Sequence, residues 1–166
     1  MKLLLSVMFF TLAIIACQPT EESAKSSPAT ATSTQADETA IQMVYKQYVD
    51  KWNAADLDGV MAYIADDFVH LPPGDLANVG KEAIHSRWEQ YLAENISRWE
   101  SSIEYIEISG NLAFVRDSGK GSSTPKDGGE TKTSVEKGVH IFRRGADGSW
   151  KIVIEIWNSN KANDEL

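Results

Sequence analysis

Apolar residues recur along the chain with two different periods, and the change falls near residue 95. Ile41, Val44, Tyr45, Tyr48 and Trp52 fall at i, i+3, i+4, i+7 and i+11. That spacing predicts one buried stripe of a helix, capped by Asp37 or Thr39. Asn53-Ala54-Ala55-Asp56 breaks the stripe, and Asp56 can cap a second helix carrying Leu57, Val60, Met61 and Ile64. Asp66-Asp67 is expected to end that helix. Phe68 to Leu71 reads as a short strand, and Pro72-Pro73-Gly74 then forbids regular structure. A third helix is expected from about Lys81 to Asn95, with Ile84, Trp88, Tyr91 and Leu92 on one face.

Beyond that point the period is two. Trp99, Ser101, Ile103 and Tyr105 alternate with polar residues, and Ile106 to Ser109 continues the strand through a bulge. Gly110-Asn111 is a turn, and Leu112 to about Ser122 is the next strand. A loop at Thr124 to Gly129 leads to a strand from Thr131 to Arg144. Ala146-Asp147-Gly148 then turns the chain into a last strand, Trp150 to Asn158. Three helices followed by antiparallel strands is an α+β layout, with the helices packed on one face of a curved sheet.

The ends differ from this domain. Residues 1–16 place Lys2 before an apolar run from Leu3 to Ala16, too short for a membrane span and ordered like a secretory signal. Ile14-Ile15-Ala16-Cys17 resembles a bacterial lipobox. The resemblance implies cleavage before Cys17, lipidation of its thiol, and anchoring on the periplasmic face of an envelope membrane, the outer one in a diderm. An ordinary signal peptide with a chance cysteine is the alternative. Residues 17–37 are rich in Ser, Thr, Ala and Pro and lack large apolar groups, so a flexible tether is expected. The domain is placed at 38–160 and a short tail at 161–166.

Composition narrows the function. The 166 residues carry 24 acidic and 16 basic side chains, a net charge of −8, which argues against a nucleic-acid partner. A single cysteine excludes an internal disulfide. The three histidines, 70, 85 and 140, lack metal-ligand spacing, so neither metal nor cofactor is expected. The glycines lack the setting of a phosphate loop, and no serine sits in a nucleophile elbow.

Trp52-Asn53-Ala54-Ala55-Asp56, Tyr63 to Phe68, Leu71-Pro72-Pro73-Gly74, Gly80 to Ile84 and Trp150 to Ser159, taken in order, resemble the ketosteroid isomerase-like branch of the NTF2-like superfamily, in particular its SnoaL-like (DUF4440) group. The resemblance implies a cone with an apolar pocket and frequent homodimers through the outer sheet face. It matches Tyr48 to a catalytic tyrosine and Trp157 to a pocket tryptophan. It also puts Pro72 where the isomerase base belongs and Val135 near the position of its oxyanion aspartate. Steroid isomerisation by that route is therefore not expected.

Other polar groups can serve in the pocket. If Arg143 opposes Ser149, Lys137 lies opposite Glu155 and Val139 opposite Val153, all facing inward. Glu155 is then a general base or ligand anchor, with Lys137 setting its charge; a structural ion pair is the plainer reading. His70 is a proton shuttle or a rim histidine. Trp52, Tyr63, Phe68 and Trp88 are candidate ligand contacts as well as core. His140 is expected on the outer face, and Arg116-Asp117 reads as strand-end charge. These features admit a small, partly apolar ligand in the cone, with isomerase- or lyase-like acid–base chemistry. A non-enzymatic dimerisation or assembly module is the alternative.

Overall fold

The computed structural model describes residues 31–161. The expected signal sequence, Cys17, most of the tether and residues 162–166 lie outside the described residues. The elements run α1 (Ala31–Asn53), α2 (Leu57–Met61), β1 (Ile64–Leu71), β2 (Asn78–Val79), α3 (Lys81–Glu94), β3 (Asn95–Ser109), β4 (Leu112–Pro125), β5 (Lys132–Arg144) and β6 (Trp150–Ser159). One six-stranded sheet has the order β2-β1-β6-β5-β4-β3. Only the β1–β6 pair is parallel.

The α1 stripe falls where the periodicity put it: Ile41, Tyr45 and Tyr48 are buried, with Val44 and Trp52 packed at the margin. They meet Phe68, Ile84, Val115, Phe142 and Ile152 in a single core between the helices and the concave face of the sheet. The α1 helix, however, starts before Asp37 and Thr39, so neither caps it. Asp37 instead accepts from the Arg144 guanidinium and from Trp150 Nε1 at 3.3 Å. Arg144 lies over the Trp150 ring, 4.6 Å from its centroid. That clamp ties α1 to the ends of β5 and β6.

Asp56 caps α2, accepting from Gly59 N at 3.0 Å. Asp66 and Asp67 do not end this helix. It stops at Met61, and both aspartates lie exposed within β1, where Arg143 of β5 holds Asp67 at 2.6 Å. The bulge expected in β3 lies between Ile103 and Tyr105.

The β5–β6 register departs from expectation twice. Arg143 opposes Lys151, not Ser149. Further along, Phe142 pairs with Ile152 but Ile141 pairs with Ile154, so Val153 is one extra residue on β6. The first shift, of two residues, preserves facing. The second, of one, reverses it. Glu155 therefore opposes His140, Lys137 opposes Asn158, and Val139 opposes Ile156. His140 is buried on the concave face, contrary to the outward position expected for it.

Candidate functional site

The helices and the concave sheet face enclose an open-mouthed cavity of about 380 Å³. Its helical wall is aromatic: Trp52 and Trp88 meet edge to face at 5.3 Å, and Tyr91 stacks on Trp52 at 5.9 Å. Trp157 on β6 and Trp99 on β3 also line it. Trp99 lies against β4 at Gly119 and Gly121, where any Cβ would overlap the indole. Arg87, Arg98 and Lys132 border the mouth.

The deep end is polar, and its groups are joined. Tyr45 Oη donates to Asp117 Oδ2 at 2.8 Å. Asp117 Oδ1 lies 2.9 Å from His140 Nδ1. His140 Nε2 points to Glu155 Oε1 at 3.8 Å. Tyr48 Oη donates to Glu155 Oε2 at 2.6 Å. The cluster draws one residue each from β4, β5 and β6 and two from one turn of α1, spaced i and i+3. Strand alternation explains its strand members: Ala113, Val115 and Asp117 share the concave face of β4.

These contacts fix the protonation states. Burial alone would push His140 down, but its bonds to Asp117 and Glu155 and their charges outweigh burial and hold it at about 9. At neutral pH the ring is an imidazolium between two carboxylates. Burial pushes Glu155 up, yet His140, the nearby His70 and the Tyr48 hydroxyl hold it below the ordinary carboxylate range. Burial first, then the facing carboxylates, raise both tyrosines, so they remain donors. Among the described residues, no group of three or more His, Cys, Asp or Glu is arranged to hold a metal ion.

His70 sits beside Glu155 in the β1–β6 register and borders the cavity. Trp157 Nε1 donates to its Nε2 at 3.4 Å, and burial keeps the ring below its ordinary range, hence neutral. Tyr48, Trp52, Trp88, Glu155 and Trp157 also border the cavity. Lys137 borders its outer part but is exposed, and the Val153 bulge takes it away from Glu155. Phe68 is fully buried core, and Tyr63 packs against that core; neither lines the cavity. Val139 alternates to the outer face, and Val153 is the buried bulge residue, so these two do not line it either.

Sequence reasoning missed Asp117, His140 and the role of Tyr45. Alternation from Ala113 and Val115 carried the signal for Asp117. The i and i+3 spacing of Tyr45 and Tyr48 carried it for the tyrosine pair.

Helices packed on the concave face of a curved, mostly antiparallel six-stranded sheet are the fold of the NTF2-like class. Similar solved structures include a ketosteroid isomerase-like protein from Erwinia carotovora atroseptica SCRI1043, 25% identical with a TM-score of 0.68, covering 75% of this chain and 96% of that one. A conserved protein from Planctomyces limnophilus DSM 3776 is 29% identical with a TM-score of 0.69, covering 73% and 94%. A putative scytalone dehydratase from Novosphingobium aromaticivorans DSM 12444, 13% identical with a TM-score of 0.69 over 81% and 94%, shares the fold. No curated protein matches the chain. The family model described as SnoaL-like domain matches residues 45–153, and the chain belongs to that family.

Proposed function

We propose that the domain binds a small, partly apolar ligand in its cone and moves a proton on it, as an isomerase- or lyase-type catalyst. The observation that carries this reading is the Asp117–His140–Glu155 cluster at the end of an aromatic cavity. A cavity built only to hold a ligand needs no buried imidazolium between carboxylates, since burying charge is costly. Glu155 is ionised and is the proton acceptor for a C–H next to a carbonyl. Asp117 orients His140, whose positive charge opposes the negative charge developing on the ligand. Tyr48 holds one oxygen of Glu155 and leaves the other toward His140.

The test is proton exchange on a simple ketone, 4-phenylbutan-2-one, followed by NMR in D2O. The wild type is expected to exchange the protons next to the carbonyl faster than buffer. Glu155→Gln should lower the protein-dependent rate by about 100-fold, the usual scale for a lost acid–base group. A wild-type rate no faster than buffer counts against catalysis.

A second reading, self-association through the outer sheet face, is supported by an apolar band there. Val139 pairs with Ile156 and Ile141 with Ile154, while exposed Phe114 meets Tyr105 at 5.6 Å. We also hold the lipid anchor at Cys17 as a proposal resting on Ile14-Ile15-Ala16-Cys17. No helix among the described residues is long and apolar enough to cross a membrane. Cys17→Ser should move the protein from the membrane to the soluble fraction of its native cell; continued retention refutes the anchor.

A further inference from the structure

Glu136 is an acidic group on the concave face of β5 that the cluster does not use; Lys132, at the start of the strand, also lines the cavity. Glu136 shares that face with Ser134, Gly138 and His140, and it lines the cavity. Its partners across the sheet are Gly119 on β4, against which the Trp99 indole lies, and Ser159 on β6. It stands four positions from His140, about 13 Å along the strand at ~3.3 Å per residue. Between them lies Gly138, where a Cβ would stand 3.1 Å from Asp117 Oδ1. The absent side chain at Gly138 leaves room for the Asp117 carboxyl, and Glu136, Gly138 and Asp117 all line the one cavity.

We propose that Glu136 is a second proton-transfer group, which delivers a proton to a leaving oxygen of a ligand deprotonated at Glu155. The inference rests on the acid–base reading and deepens it by naming a substrate class: a β-hydroxy carbonyl compound with an apolar body. The step balances. The C–H bond next to the carbonyl breaks, and its proton goes to Glu155. The electron pair forms a C=C bond as the C–O bond breaks. The departing oxygen takes the proton of Glu136 and leaves as water. Glu155 gains one proton, Glu136 loses one, and solvent restores both, with no co-reactant.

The electrostatics agree with this division of labour. Burial, and then the charges of Glu155 and Asp117, push Glu136 above the ordinary carboxylate range against a hydrogen bond from Ser134. Glu155 is held below that range. Two carboxyl groups in one cavity, displaced in opposite senses, are suited to opposite proton-transfer roles. A single base that takes and returns the same proton has no use for a second, separated acid.

The experiment uses 4-hydroxy-4-phenylbutan-2-one, which carries the C–H and the leaving hydroxyl in one molecule. Exchange into D2O and release of the unsaturated ketone are measured together. Wild type is expected to do both. Glu155→Gln should suppress both, and Glu136→Gln should lower the ratio of elimination to exchange by about 100-fold. Glu136→Asp should recover part of that ratio. If both rates fall in parallel in Glu136→Gln, or the ratio is unmoved, the proposal is overturned. Exchange without elimination in wild type overturns the role of Glu136 alone; absence of both exchange and elimination overturns the acid–base reading beneath it. A 13C titration independent of turnover completes the test. The Glu136 carboxyl should titrate above a free glutamate and move down in Glu155→Gln. Ordinary titration, unmoved by that variant, also overturns the proposal.

Discussion

His140 Nε2 stands 3.8 Å from Glu155 Oε1, and the two residues are register partners on β5 and β6, both facing the cavity. Asp117 holds the other ring nitrogen at 2.9 Å. The ring thus joins two carboxylates, and its proton inventory governs the charge of the closed end of the cone.

That arrangement predicts a late titration. His140 should titrate at about 9 by NMR, with no transition near its ordinary value of 6.5. Asp117→Asn removes a supporting charge and should bring the midpoint down. A midpoint near 6.5 in wild type would refute the imidazolium. Stability follows by linkage. A raised folded value contributes stability that is fully present below about 6.5 and is lost as pH rises through about 9. Glu155, with its folded value lowered from 4.5, contributes stability present above 4.5 and lost as pH falls below it. Urea midpoints measured across pH should therefore decline on both sides of the interval between these limits.

Tyr48→Phe removes a donor to a buried carboxylate while keeping the ring. A hydrogen bond to a charged group is worth about 2 kcal/mol, so the urea midpoint should fall by that equivalent with an unchanged denaturant slope. Because the hydroxyl helps hold Glu155 down, the Glu155 carboxyl should titrate higher in this variant. An unchanged Glu155 titration would show that the 2.6 Å bond contributes nothing to its charge state.

Gly121→Ala forces Trp99 off the β4 backbone. Overpacking of this kind costs about 1–3 kcal/mol. Trp99→Ala frees the space, so the double variant should be more stable than the sum of the two single losses predicts. Strict additivity in urea unfolding would mean that the indole does not rest on that glycine.

Phe114→Asp places a charge in the apolar band of the outer face. In sedimentation, wild type is expected to run as a dimer and the variant as a monomer, with the cavity chemistry retained. A monomeric wild type removes the self-association reading.

Much of the architecture was legible because it rests on short-range patterns. The stripe from Ile41 to Trp52, the Asp56 cap and the switch of period at the start of β3 are each set by neighbouring residues. The start of α1 was not legible, because Asp37 is used across the fold, by Arg144 and Trp150, and not as a cap. Asp66 and Asp67 looked like a helix end because two adjacent charges interrupt alternation; within β1 they stay exposed while Phe68 and His70 turn inward. The site was half legible. Tyr48 and Glu155 were identified singly, but their partner His140 was placed on the wrong face, since nothing in the apolar pattern of β6 marks Val153 as an insertion.

The Val153 bulge makes the identity of the cavity end a matter of counting. Residues beyond it keep their order and their strand, yet which of them meet the ligand depends on that one residue being left out of the ladder. A relative lacking it would keep Glu155 opposite His140 in a regular ladder and its cavity end unchanged. A relative that paired Val153 with Ile141 would instead set Ile154 opposite His140, turning Ile154 and Ile156 inward and Glu155 and Trp157 outward. Its cone would be lined with hydrocarbon and its outer face would carry the acid. One irregularity of the backbone thus separates a reactive vessel from a greasy container, with no side chain changed.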